Sequence, residues 1–258
     1  MKPTIALLTM IWPWLLWSQS SLADNLRQLT VYQSAPPFVV DRGKKQGLAF
    51  DLARYINAQQ DQYNFEVVVM PRKRVNHLLN VSEPMILLFS SPRWEGENAL
   101  KRYLWTATIV ADNKYIISAM SKKVEYQNLD SLVGYSFGKI RGYNYERLQA
   151  YIDDGRIGID VSPSEFVTIE KIKLGWIDVA ESSMSILRYY QMLDSELDRK
   201  IYVPNKKYYQ VNRRVLVTRD QQAEYHAIAP IIDQSSSDEK WHAILKTYFG
   251  GHYKEFIR

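Results

Sequence analysis

A chain of 258 residues that is 46% hydrophobic and 24% charged has enough apolar material for a core, and its net charge of +5 is too small for a disordered composition. It contains no cysteine, which excludes disulfides, a thiol nucleophile, a cysteine-bound metal and a lipid anchor on an amino-terminal cysteine. The basic residues are scattered, with no RNP-like or helix-turn-helix pattern, so nucleic acid is not an expected partner.

The first 23 residues read as a cleaved signal peptide. Lys2 supplies the positive start, Ile5 to Trp17 the apolar run, and Ser21-Leu22-Ala23 the small-residue cleavage site. Pro13 interrupts the run, which falls short of the ~20 residues a spanning helix needs. Cleavage after Ala23 removes Lys2 from 33 basic against 28 acidic residues and leaves +4. The remaining chain is expected to be soluble in the periplasm.

Strands and helices then alternate, the pattern of an α/β protein. Gln28 to Tyr32 reads as a strand, and the stiff turn Ala35-Pro36-Pro37-Phe38 follows it, because two prolines preset φ and withhold two donors. Leu48, Leu52, Tyr55 and Ile56 make one apolar face of a helix from Leu48 to Gln59. A rigid loop between a strand end and a helix is where α/β proteins hold ligands, which makes Tyr32 and Phe38 candidate walls.

Phe65 to Met70 is the next strand, Arg72 to Leu79 a short helix, and Pro84 to Phe89 an apolar run ending at Ser90-Ser91-Pro92-Arg93. Leu104 to Val110 and Tyr115 to Met120 read as two extended segments separated by Asp112-Asn113. A second set begins near Leu129. Its strand Tyr135 to Ile140 ends at Arg141-Gly142-Tyr143-Asn144-Tyr145 and enters the helix Tyr145 to Ile152. Ile157 to Val161 is a strand, Pro163 to Leu174 a helix closed by Gly175, Trp176 to Ala180 a strand and Met184 to Leu193 a helix. Lys200 to Val203 and Val211 to Val217 return as strands, and Gln221 to Ile232 and Asp238 to Phe249 are helices, the last stopped by Gly250-Gly251.

Several positions carry candidate chemistry. Arg93, in a polar loop after an apolar strand, suits an anion, and Ser90 and Ser91 beside it are potential donors. Of the basic run Arg72-Lys73-Arg74, Arg74 is the expected ligand contact and the others a solvated face. Arg141 to Tyr145 would meet an anion or a ring with helix-start amides, an arginine, Asn144 and two tyrosines, Tyr143 and Tyr145. The histidines, His77, His226, His242 and His252, form no HExxH set, and no Gly-x-Ser-x-Gly elbow exists, so neither a metal site nor a catalytic residue is assigned.

The order of these features resembles the family 3 extracellular solute-binding proteins. The matching residues are Ala35-Pro36-Pro37-Phe38 with Gly47 and Asp51, Leu129 to Gly134, Leu174-Gly175-Trp176-Ile177-Asp178, and Trp241 to Gly250. The resemblance implies a two-lobed, type II periplasmic binding protein-like α/β fold whose lobes are joined by two crossing segments. Residues 24–111 plus about 218–258 would form lobe 1, and about 112–217 lobe 2. It implies hinge closure on a small polar or anionic, amino-acid-like solute for an ABC-type importer, with no cofactor, as a monomer. A periplasmic sensor or adaptor signalling through a protein partner is the alternative, and an enzyme on the same fold a further one. The family arginine that grips a ligand carboxylate falls at Arg93, displaced by about one position, and the acid that meets the ligand ammonium falls at Ser183, with Ser182 beside it and Glu181 two residues earlier on the same strand face.

Overall fold

The computed structural model describes residues 25–143 and 145–258, so the signal-peptide reading and Asn144 lie outside the described residues. Strand β1 (Leu26–Val31) is followed by the loop that carries Phe38, which is fully buried and packs on Phe89 with ring centroids 5.0 Å apart. Helix α1 (Leu48–Asn57) begins against that loop. The amides of Leu48 and Ala49 donate to the carbonyls of Pro37 and Phe38 at 2.8 and 3.0 Å, which satisfies helix-start donors that would otherwise be orphaned. Gly47 makes the approach possible: its φ is +131°, and a Cβ there would lie 2.5 Å from the Phe38 carbonyl oxygen. Leu48, Leu52 and Ile56 are fully buried on the predicted apolar face, each stabilising by roughly 1.5–3 kcal/mol.

β2 (Asn64–Val69), α2 (Arg72–Asn80) and β3 (Ile86–Ser90) complete a first parallel unit, in which β1 lies between β2 and β3. A short helix α3 (Ala99–Arg102) leads to β4 (Tyr103–Trp105) and then to the long strand β5 (Val110–Ala119). The second parallel unit contains β6 (Ser136–Ile140), α4 (Glu146–Asp153), β7 (Gly158–Ser162), α5 (Glu165–Lys173), β8 (Val179–Ser183) and α6 (Met184–Leu193). In that unit β6 pairs in parallel with both β7 and β8. After α7 (Leu197–Lys200) and β9 (Ile201–Tyr202), the strand β10 (Tyr209–Thr218) runs back antiparallel to β3, β4 and β5. The sheet order is β2-β1-β3-β10-β5-β8-β6-β7, so two parallel halves meet through the antiparallel pair β5 and β10.

The carboxyl-terminal helices α8 (Gln222–Gln234) and α9 (Glu239–Phe249) return to the first half. Trp241 packs tilted against Tyr55 of α1, ring centres 5.4 Å apart, and donates to the Ile109 carbonyl, and Tyr248 donates to Asp51 of α1. Among the described residues no helix is long and apolar enough to cross a membrane.

The extended segment expected over Leu104 to Val110 is broken, with β4 ending at Trp105 and β5 starting at Val110, and two further elements differ from expectation. β5 runs straight through Asp112-Asn113 where a break was expected, because Asp112 is buried and bonded to Arg213 and Ser185 rather than turned to solvent. β8 begins at Val179 rather than at Trp176, since Asp178 is held outside the ladder by the Ser136 amide and hydroxyl, both donating at 2.7 Å, and Trp176 is 70% exposed.

Candidate functional site

The connecting strands carry an unusual burden of polar side chains. Tyr209 lies opposite Lys114, Val211 opposite Asp112, and Lys114 opposite Ser183. Strand residues two apart share a face, so Asp112, Lys114, Glu181, Ser183, Tyr209 and Arg213 all project from one side of the sheet. That side is the floor between the two parallel units.

Arg213 and Asp112 are the deepest pair. Nε and Nη2 of Arg213 donate to Oδ2 of Asp112 at 3.0 and 2.9 Å, and Nη2 also reaches Ser183 Oγ at 3.3 Å. Ser185 donates its amide to Oδ1 at 3.1 Å and its hydroxyl to Oδ2 at 2.6 Å, so both oxygens of Asp112 are engaged. The Arg213 guanidinium sits 4.5 Å from the ring centre of Phe38 and 5.2 Å from that of Trp94, rings brought by the first unit.

Lys114 is the second buried cation, its Nζ 3.2 Å from Glu181 Oε1. Tyr209 donates to the same oxygen at 3.0 Å. Burial opposes the Lys114 charge, but Glu165 and Glu181 outweigh it and hold the ammonium above its ordinary range. Glu165, only 3% exposed, comes from the first turn of α5, whose start is capped by Ser164. Its Oε1 accepts from Ser182 Oγ at 2.8 Å and from the Ser183 amide at 2.7 Å, while its buried Oε2 has no protein donor. Burial pushes the Glu165 carboxyl up, with Lys114 and the two serine donors pulling the other way.

The first unit contributes a matching wall. Arg72 grips Glu95 through Nη1 and Nη2 at 2.9 and 3.0 Å, donates to the Trp94 carbonyl at 3.2 Å and lies 4.4 Å from the ring centre of Tyr32. Ser90 donates to Glu95 at 2.5 Å. Burial raises the Tyr32 hydroxyl to about 12, against the pull of Arg72. Arg93, exposed, stacks 4.6 Å over the ring of Tyr209, a contact from the first unit onto β10. Tyr143, although 47% exposed overall, has a hydroxyl whose pKa is raised by burial first and then by Glu165, with Lys114 and Arg213 also in range.

Of the residues singled out by sequence, the structure therefore gathers Tyr32, Phe38, Ser90, Arg93, Tyr143, Glu181, Ser182 and Ser183 around one cleft. Ser91 is buried behind it, its carbonyl accepting from the Trp94 amide. Tyr145 is a core residue: its ring packs on Phe137 and its hydroxyl accepts from the Ile140 amide at 3.2 Å. Arg141 and Arg74 are both exposed, and it is Arg72, assigned to the solvated face, that turns inward. Asp112, Lys114, Glu165, Tyr209 and Arg213 were not singled out. The strand residues among them gave one signal, polar side chains an even number apart inside apolar strands, and Glu165, on α5, gave none.

An open cavity of 420 Å³ lies apart from this floor, lined by residues including Tyr126, Asp130, Arg147, Tyr151, Lys206 and Tyr208, and one of 180 Å³ borders the first-unit wall at Arg72, Trp94, Glu95 and Arg102. Among the described residues no group of three or more His, Asp or Glu could hold a metal ion.

No protein-family model and no curated sequence relative matches the chain. Solved structures do. ArgBP from T. maritima, solved as a mutant, is 13% identical over 88% of this chain and 96% of that one, with a TM-score of 0.66. The arginine 3rd transport system periplasmic binding protein of Legionella pneumophila is 15% identical over 86% and 98%, with a TM-score of 0.63. The fold is that of the two-lobed family 3 solute-binding proteins. The GluR0 ligand-binding core of Nostoc punctiforme, in complex with L-glutamate, shares the fold at 13% identity over 87% and 98%, with a TM-score of 0.64. The polar floor on β5, β8 and β10 lies where the two parallel units meet, and Phe38, Trp94 and Arg93 approach it from the first unit.

Proposed function

We propose that the chain is a periplasmic solute-binding protein that captures a small polar, amino-acid-like solute by closing its lobes, for delivery to an ABC-type importer. Lobe 1 comprises residues 24–111 plus about 218–258 and lobe 2 about 112–217. The observation that carries this reading is the convergence of both lobes on one polar floor: Arg93 over Tyr209, and Phe38 and Trp94 over Arg213. Aromatic walls around a few placed polar groups are what a small-solute site needs. Capture requires no catalysis, and the described histidines with polar partners find them outside the cleft, His242 on the Ser236 carbonyl and His252 on Glu255.

The same cleft supports a second reading. Arg213 places the protein's own cation against the aromatic walls, which suits a sensor or adaptor that signals through a protein partner with its cleft already filled. A thermal-shift screen of the chain from Asp24 onward against amino acids, diamines, small carboxylates and short peptides separates the two. A captured solute at 100 times its dissociation constant adds about 2.7 kcal/mol of stability and a clear rise in melting temperature. A flat screen, with a partner recovered from periplasmic extract, would instead establish the sensor.

A further inference from the structure

Charges at the floor do not balance evenly. Arg213 is matched by Asp112, and Arg72 by Glu95, each through two hydrogen bonds. Lys114 alone faces two carboxylates, Glu181 at 3.2 Å and Glu165 within electrostatic reach. The floor therefore holds one carboxylate more than its buried cations compensate. A second, independent observation singles out which one: Glu165 Oε2 is buried without a protein donor, while Oε1 of the same group accepts twice. Glu165 is bonded to the Ser183 amide, and the hydroxyl of that serine accepts from Arg213, so the open oxygen belongs to the β8 end of the floor.

A buried acceptor left without a donor is costly, and a buried carboxylate more so. A ligand that presents an anion here would meet cations already engaged and add to the excess. A ligand that presents a protonated amine would supply the missing donor and the missing positive charge together. We infer that the cleft recognises its solute by a protonated amine donating to Glu165, so that the ligand class is an amine cation, with a carboxylate dispensable. This rests on the solute-capture reading. The recognising acid comes from the start of α5, not from the end of β8, where Ser183 stands.

Putrescine and L-lysine, as amines, and succinate, as a dicarboxylate without an amine, are the probes, tested on the wild-type chain and on Glu165→Gln by thermal shift and calorimetry. The expected result is a melting rise with both amines, none with succinate, and a loss of about tenfold or more in putrescine affinity in Glu165→Gln, as for a charge-assisted hydrogen bond. Lys114→Gln supplies the opposite sign: removing the competing ammonium should tighten putrescine, a gain that no folding defect produces. Succinate binding with putrescine inert, putrescine affinity unchanged in a folded Glu165→Gln, or putrescine weakened by Lys114→Gln would each overturn amine recognition and leave solute capture standing. No shift with any compound of the wider panel would remove solute capture, and amine recognition with it.

Discussion

Arg213 shows how one side chain ties the first parallel unit to the connecting strands. It is 2% exposed, shares Asp112 with Ser185, and presents the face of its guanidinium to Phe38 and Trp94. A buried ion pair contributes little net stability over an apolar pair of the same shape, but removing one partner strands the other charge. Asp112→Ala should therefore destabilise the chain by about 3–5 kcal/mol, read as a fall in the denaturant midpoint at an unchanged slope. A loss under ~1 kcal/mol would mean that Arg213 finds water or another acceptor, and that the pair is not the closed unit its geometry describes. The Arg72–Glu95 pair differs, because Arg72 remains partly exposed and can rehydrate.

At the scale of elements, periodicity made most of the fold legible. The apolar face of α1, the exact span of α6, and the order of strands and helices follow from spacings of three, four and two. The floor was hidden for a physical reason. Asp112-Asn113 is a polar pair with turn chemistry, and only a partner 101 residues away makes Asp112 an interior residue of β5. Glu165 reads locally as an ordinary first-turn acid, and its burial depends on Ser182 and Ser183 arriving from β8. Loop and helix-start signals, by contrast, pointed to Arg74, Arg141 and Tyr145, two of which are exposed and one of which is core.

Helix α9 offers a test at this scale, since its start is local and predictable. Asp238 caps it, accepting from the Lys240 amide and from Tyr55 of α1, each at 2.8 Å. Burial opposes the Asp238 charge, but the two donors outweigh it and hold the carboxyl below its ordinary range. A depressed acid contributes stability above its unfolded value, near 3.9, and that contribution is lost as pH falls through the folded value. Asp238→Ala should cost about 1 kcal/mol at neutral pH, with the gap to wild type closing as the solution is taken below pH ~4. Equal melting temperatures at neutral pH would show that the cap is not formed in solution.

For the whole molecule, the proposed capture turns on relative movement of the lobes. β5 and β10 are the strands that join the two parallel halves, and Arg93 on Tyr209 is a contact from the first half onto β10. Two-lobed binding proteins turn such a connection into a hinge, so that a solute shifts a population from open to closed. The absence of cysteine makes the motion directly measurable, because thiols introduced at exposed Asp61 and Asp198 would be the only ones in the chain. Spin labels on Asp61→Cys and Asp198→Cys, one in each lobe, report the interlobe distance by pulsed electron resonance, with and without a pool of amino acids, putrescine and succinate. Capture by closure predicts a distribution that shortens and narrows when the pool is added; distributions that coincide would contradict it.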